Sequence, residues 1–222
     1  KHLITMAIPM MIGMFVQTLY FLVDLYFVGK LGDSALAGLS LAGNVMFLIF
    51  ALTQVINVGT VTLIAHAVGR KDKADANVTF NQSLMLSSLM GMIVCLLGYL
   101  GAETYLKMIS NDPETVAAGF AYLSWFIPCM SLQFIMVSMS AALRGTGIVK
   151  PTMIIQILSI LVNIILSPIL IDGWGTGVSM GIAGAGLASS ISVVCAVIFL
   201  AIYFKYADKY IHIDFSLWRP NS

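Results

Sequence analysis

The chain has 222 residues, of which 59% are hydrophobic and only 9% are charged. A soluble domain contains about 45–50% apolar and about 25% charged residues, so this composition indicates a protein whose solvent is lipid. The 11 basic and 10 acidic residues nearly balance. Without a basic face, nucleic-acid binding is excluded as the main activity.

Six apolar stretches are long enough to cross a bilayer core about 30 Å thick, which needs roughly 20 helical residues. They are predicted near Leu3–Val28, Ala35–Val68, Val78–Leu100, Val116–Leu143, Thr152–Ile171 and Met180–Phe204. Short polar links, most of them marked by glycine or proline, separate the stretches: Gly29–Ser34, Gly69–Asn77, Gly101–Thr115, Arg144–Pro151 and Asp172–Ser179. We therefore predict an all-α integral membrane protein built as a six-transmembrane-helix bundle.

Lysine and arginine residues predict the orientation of the spans, because they concentrate on the cytoplasmic side. With both termini placed in the cytoplasm, only Lys30 and Lys107 of the 11 basic residues lie outside. The expected location is the inner (plasma) membrane of the cell, with multiple passes and both termini cytoplasmic.

The first span carries Asp24, the only acidic residue clearly inside a predicted span. An ionisable residue at membrane depth costs about 2.5–3.5 kcal/mol on insertion scales. Gln17 and Tyr20 share its helix face, which indicates a wet cavity or a partner helix. The alternative is that the carboxylate of Asp24 reaches toward the outer headgroups.

The fifth and sixth spans also carry polar or small residues on one face. Gln156, Asn163 and Ser167 are spaced seven and four residues apart in the fifth span. Ala185 and Ser189 lie one turn apart in the sixth. Hydrogen bonding and close packing between helices explain these residues about as well as a ligand site does.

The segment after the last span, Tyr206–Ser222, alternates apolar and polar residues at positions 211 to 217. An interfacial segment lying on the cytoplasmic leaflet fits this pattern. An extended linker fits it equally well.

No catalytic or metal-binding motif is recognisable. Cys95, Cys129 and Cys195 lie inside apolar runs and are interpreted as small buried hydrophobic residues. The spacings CxxC, HExxH and GxxxxGK are absent from the sequence. The spans hold no pair of nucleophile and base, so we expect the protein not to be an enzyme and to need no organic cofactor.

Five motifs, in order, run through almost the whole chain. They are QTLYFLVDLYFVGKLG at 17–32, AHAVGRKD at 65–72, RGTG at 144–147 with KP at 150–151, NIILSP at 163–168 and GIAGAGLAS at 181–189. In this combination the chain resembles the multidrug and toxic compound extrusion (MATE) transporters.

The resemblance implies a carrier of twelve helices in two six-helix lobes around a central cleft. Such a carrier exports amphipathic, often cationic compounds in exchange for protons or sodium ions. This chain resembles the amino-terminal lobe, with residues 1–204 as the transmembrane bundle and 205–222 as a cytoplasmic linker toward a second lobe. The expected partners are a drug-like small molecule, the bilayer, and either a second lobe or a second copy in a homodimer.

The resemblance also implies an ion-coupling site. Asp24, Asn163, Ala185 and Ser189 match its positions, with serine in place of the usual threonine at 189, and Ser167 stands where an aspartate is expected. Gln17 and Tyr20 match positions that line the substrate cavity. We expect Gln156, on the face of Asn163, to line the same cavity.

The missing aspartate favours protons over sodium as the coupling ion. Burial disfavours the charged form of a lone carboxyl group, whereas a hard cation such as sodium wants several charged or carbonyl oxygens. We therefore expect Asp24 to carry the proton. A sodium site at Asp24, Asn163 and Ser189 is the alternative, and a non-transporting membrane fragment, an assembly subunit and an exporter of lipid-linked substrates also stay open.

Overall fold

Six long helices follow one another, and the residues between them form short links. The structure is a computed structural model that describes residues 2–206 and 210–218, without the side chains at positions 2, 6, 9, 10, 13, 16, 17 and 20. The helices are α1 (His2–Gly29), α2 (Asp33–Gly69), α3 (Lys73–Ile109), α4 (Pro113–Gly145), α5 (Lys150–Ile171) and α6 (Ile182–Tyr206). A short 3₁₀ turn follows at Phe215–Leu217, and the described residues contain no strand.

The helices are long enough for a membrane, and this confirms the predicted fold class. Within the described residues, the helices α2 to α6 are long and apolar enough to cross a bilayer. Helix α1 has 28 residues, which corresponds to about 42 Å at 1.5 Å per residue. Since each link is short, consecutive helices run antiparallel and form one bundle.

Two predicted links are too long. The sequence predicted a link over Gly69–Asn77, but α3 begins at Lys73. It also predicted a link over Gly101–Thr115, but α3 continues to Ile109 and α4 begins at Pro113. Glycine at 101 does not interrupt α3, and an ion pair between Lys107 and Glu103 joins one turn of the helix to the next at 2.5 Å.

The start of α4 has a local cause in Asp112. Its carboxylate accepts hydrogen bonds from the Thr115 hydroxyl at 2.6 Å and from the Glu114 backbone N–H at 3.2 Å. These hydrogen bonds, that of Thr115 first, lower the pKa of Asp112 below its ordinary value. A capped start with proline in the first turn begins α4 immediately after the bend.

Helix α4 lies at the centre of the bundle and packs against α2, α3 and α6, whereas α1 packs mainly against α5. Glycines allow the closest approaches between the helices. A Cβ atom at Gly186 of α6 would lie 2.6 Å from the backbone oxygen of Tyr122 in α4. Backbone cannot move aside as a flexible side chain can, so this contact requires glycine.

We expect Gly186→Ala to destabilise the bundle, because overpacking a tight contact costs about 1–3 kcal/mol. In a chain of this size that corresponds to a fall of roughly 3–10 °C in the unfolding midpoint. Thermal unfolding in detergent measures it. The matched control is Gly59→Ala in α2, where an added Cβ meets nothing within 4 Å. Equal midpoints for the two variants would contradict the predicted contact.

The segment after α6 packs on α3 through two asparagines. Asn77 Oδ1 accepts a hydrogen bond from the His212 backbone N–H at 2.9 Å. Asn81 donates to the His212 carbonyl oxygen at 2.9 Å and accepts from the Asp214 backbone N–H at 2.7 Å. Ile211 is fully buried beside this contact. Residues 211–214 therefore pack on the bundle, and the division into a bundle at 1–204 and a cytoplasmic linker at 205–222 stays a prediction.

Candidate functional site

The carboxylate of Asp24 faces the interior of the bundle. It lies near the carboxyl end of α1, and only 3% of the residue is exposed. Most of the described side chains earlier in α1 are exposed, whereas Asp24 and Val28 are buried. The end of α1 thus inserts an acidic group where α1 meets α5 and α6.

Four further residues from α5 and α6 surround this group, and we call the five residues the Asp24 cluster: Asp24, Asn163, Ser167, Ala185 and Ser189. The hydroxyl group of Ser189 lies 3.3 Å from Asp24 Oδ2 and 3.2 Å from the Ala185 carbonyl oxygen. Asn163 and Ser167 are fully buried beside it. The structure therefore brings together all five residues that the sequence assigned to an ion-coupling site.

The amide of Asn163 connects the two serines of the cluster. Its Nδ2 donates to Ser189 Oγ at 3.4 Å, and its Oδ1 accepts from Ser167 Oγ at 3.4 Å. These distances are at the long end of the range for hydrogen bonds. The network is continuous but loose, which suits a group that changes partners.

The hydrogen bonds around Ser189 have two arrangements, set by the charge of Asp24. A serine hydroxyl has one proton to donate and two lone pairs to accept with. If Asp24 is charged, the single hydroxyl proton of Ser189 goes either to Asp24 or to the Ala185 carbonyl oxygen. Ser189 then accepts only from Asn163, so that one of its lone pairs stays unfilled. If Asp24 is protonated, it donates to Ser189, and Ser189 then donates to Ala185 while it accepts from Asn163. Every hydrogen-bonding position of Ser189 is filled only in the protonated form.

The second carboxylate oxygen supports the same interpretation. Asp24 Oδ1 is buried and has no hydrogen-bond partner among the described residues. A buried carboxylate with one unpaired oxygen is costly, so this oxygen favours either a proton or a bound cation. The described residues contain no group of three or more His, Cys, Asp or Glu side chains able to hold a metal ion. A cation here would rely on one carboxylate and neutral oxygens.

Helix α4 contributes Tyr122 and Cys129 to the core of the bundle, where both side chains are buried. The Tyr122 hydroxyl contacts Met46 Sδ at 3.9 Å.

Three predicted cavity residues lie outside the Asp24 cluster or outside the described side chains. Gln156 is half-buried in α5, about 10 Å along the helix from Asn163, and makes no hydrogen bond in the described part of the chain. The side chains of Gln17 and Tyr20 lie outside the described residues. The substrate cavity therefore stays a prediction.

The MatE family model matches residues 9–169. The chain belongs to the MatE family. This assignment confirms the resemblance to MATE transporters, and with the apolar helices it makes the chain a multi-pass membrane protein of a transporter family.

Known relatives share the fold over nearly the whole chain. Multidrug export protein MepA of Staphylococcus aureus (strain bovine RF122 / ET3-1) is 29% identical over 225 residues, which cover 100% of this chain and 48% of the relative. A solved MATE structure in the bent conformation has a TM-score of 0.89 and 30% identity over 98% of this chain and 48% of its own. A MOP superfamily transporter from Pyrococcus furiosus has a TM-score of 0.86 and 31% identity over 96% of this chain and 47% of its own. The chain spans about half the length of the curated relatives it matches.

Proposed function

We propose that this MatE chain is the proton-binding half of a carrier that exports amphipathic, often cationic compounds in exchange for protons. The buried Asp24 carries the proposal. All hydrogen-bonding positions of Ser189 are filled only when the carboxyl group of Asp24 is protonated. The export of drugs is proposed from the family and from MepA, which is named a multidrug export protein.

In the proposed mechanism, a proton from outside binds Asp24 and removes the negative charge that attracts a cationic substrate. The hydrogen bond between Asp24 of α1 and Ser189 of α6 reverses its direction at the same step. Asp24 then donates to Ser189, and Ser189 donates to the Ala185 carbonyl oxygen. Asn163 of α5 donates a hydrogen bond to Ser189, so a rotation of the Ser189 hydroxyl group also alters this contact with α5. Release of the proton to the cytoplasm restores the charge, so that proton entry and substrate exit alternate.

Sodium coupling is the second candidate. The Asp24 cluster offers oxygen atoms from Asp24, Asn163, Ser189 and the Ala185 carbonyl, which are the donors that hard cations prefer. Ser167 contributes a neutral hydroxyl in place of a second charge. A single carboxylate makes sodium binding weaker than proton binding at this site, so we rank it below the proton.

The remaining parts of the proposal concern the setting of the carrier. We place it in the plasma membrane with both termini in the cytoplasm, because the lysines and arginines collect at that side. A second six-helix half completes the cleft, from the same polypeptide or from a second copy. Membership of the MatE transporter family favours a carrier over an enzyme.

The test uses everted membrane vesicles that contain the complete product of the gene encoding this chain. Uptake of ethidium, a cationic amphipathic dye, is followed by fluorescence with an acid-inside pH gradient or with a gradient in which sodium is concentrated inside the vesicle. We expect uptake with the pH gradient in sodium-free buffer that contains choline and potassium, and its loss when nigericin exchanges protons for potassium and collapses that gradient.

Each other result has a definite meaning. Uptake driven only by the sodium gradient would contradict proton coupling and select the sodium site. No uptake with either gradient, for a range of cationic dyes, would contradict transport and favour a non-transporting fragment or assembly subunit.

A further inference from the structure

Arg144, near the end of α4, turns toward two amides of α2. Its Nη2 donates to Asn57 Oδ1 at 2.6 Å, and Asn57 Nδ2 in turn donates to Gln54 Oε1 at 3.0 Å. All three side chains are half-buried. This network lies apart from the Asp24 cluster and shares no residue with it.

The side chain of Arg144 extends toward the middle of the bundle. Its neighbour Gly145 packs against Ile64 and Val61 of α2. Asn57 lies four residues from Val61 in the direction of the helix middle, about 6 Å along the axis. Arginines near the ends of membrane helices usually extend outward to the interface, so an inward direction needs an attractive partner there.

The contacts within the described residues do not supply that partner. The ion pairs of the described chain join Arg70 to Asp75 and Lys107 to Glu103, and neither involves Arg144. A guanidinium group carries a planar fork of N–H donors, and in the described residues only Asn57 accepts from it. A half-buried positive charge with one neutral partner is uncompensated.

The surrounding surface is open to a further protein unit. Gln54 and Asn57 lie at the border between the face of α2 that packs on α4 and an exposed apolar face, on which Val55 is 72% and Val58 is 62% exposed. The matched relatives are about twice as long as this chain. A second half therefore has the size to cover this face.

We propose that Arg144 is a docking residue that pairs with a carboxylate group on the second six-helix half. A carboxylate matches the planar donor fork of arginine and supplies the missing charge. Asn57 and Gln54 hold the guanidinium group in place for that contact. The proposal shares with the proposed function only the premise of a second half, and it makes no use of the coupling ion.

The test measures folding rather than transport, so that its failure is distinct from failure of the proposed function. Arg144→Gln and Arg144→Glu are made in the complete gene product, and thermal unfolding is followed in nanodiscs of phosphatidylcholine. We expect the midpoint to fall by roughly 5–10 °C in Arg144→Gln, and further in Arg144→Glu. The control is Arg70→Gln, which removes an exposed ion pair and leaves the midpoint within about 1 °C.

Charge reversal identifies the partner. Each Asp and Glu of the second half is changed to Arg in the Arg144→Glu background, and we expect one reversal to restore the midpoint. Where Arg144→Glu does not fold, Asn57→Asp is used in the otherwise unchanged protein. It supplies a carboxylate beside Arg144. A scan of the second half with Asp→Asn and Glu→Gln changes identifies the partner acid in the wild-type protein. In Asn57→Asp, neutralising that acid should no longer change the unfolding midpoint.

Three outcomes would overturn the proposal. The first is an unfolding midpoint of Arg144→Gln that equals that of the wild type. The second is that no charge reversal in the second half restores the midpoint of Arg144→Glu and that no neutralised acid lowers the midpoint as much as Arg144→Gln does. The third is a difference between wild type and Arg144→Gln that appears only with phosphatidylglycerol in the nanodisc, because the partner would then be a lipid phosphate.

Discussion

Asp24→Asn is expected to reduce proton-driven efflux to background while the bundle stays folded. Asparagine has the shape of the protonated carboxyl group and can donate to Ser189, so the contact between α1 and α6 is kept. It can neither take up nor release a proton. The variant is therefore held in one of the two hydrogen-bond arrangements, and no gradient can move it to the other. Ethidium uptake into acid-inside vesicles measures the loss.

The matched control is Asp33→Asn, which neutralises an exposed carboxylate in the first turn of α2. We expect it to transport like the wild type. Thermal unfolding of both variants shows that the protein is intact. Undiminished proton-driven uptake in Asp24→Asn would show that the proton binds elsewhere and would remove the basis of the mechanism.

Ser167→Asp is expected to give the carrier a response to sodium ions. Ser167 is fully buried one turn from Asn163, so an aspartate there adds a second negative charge to the Asp24 cluster. Two carboxylates with neutral oxygens form a better site for a hard cation. Without a bound cation the two charges repel each other, and the variant should be less stable than wild type in choline buffer.

Sodium should reverse that loss. A ligand present at ten times its dissociation constant stabilises the folded state by about 1.4 kcal/mol, which corresponds to roughly 3–6 °C in the unfolding midpoint. The measurement compares midpoints in sodium and choline buffers for Ser167→Asp and for the control Ser167→Ala, which should not respond. Identical midpoints of Ser167→Asp in both buffers would contradict the prediction, whereas a sodium response of the wild type would favour the sodium alternative.

The composition of the sequence predicted the bundle well because the length of an apolar helix is a local property. Each span needs only its own residues to satisfy the bilayer. The exceptions are the links before and after α3, which are shorter than predicted, and Gly101, which resembles a turn but stays helical. Glycine is tolerated in membrane helices because intrahelical hydrogen bonds are worth keeping where water is scarce.

The spacing of polar residues predicted the site less completely. Gln156, Asn163 and Ser167 share a face of α5, yet the cluster contains only the last two. A shared face gives the direction of a side chain but not its depth, and α1 presents its acidic group at one level only. The assignment of Ala185 and Ser189 came from the resemblance, since their spacing alone fits ordinary packing.

The asparagines that bind the final segment show a second limit. Asn77 and Asn81 lie near the start of α3, where polar side chains commonly face water. Their partners are backbone groups of residues 212 and 214, at the other end of the chain. Backbone donors and acceptors are the same at every residue, so the sequence carries no signal of this contact.

By itself, the sequence determined that the chain belongs in lipid, how many helices cross it, and that a single acidic residue lies within a span. Only the tertiary structure decided that Asp24 meets Ser189, 165 residues further along the chain. Hydrophobicity along a helix is fixed by that helix alone. The hydrogen bonds of a buried carboxylate depend on how α1, α4, α5 and α6 pack together, and small residues such as Gly186 set that packing.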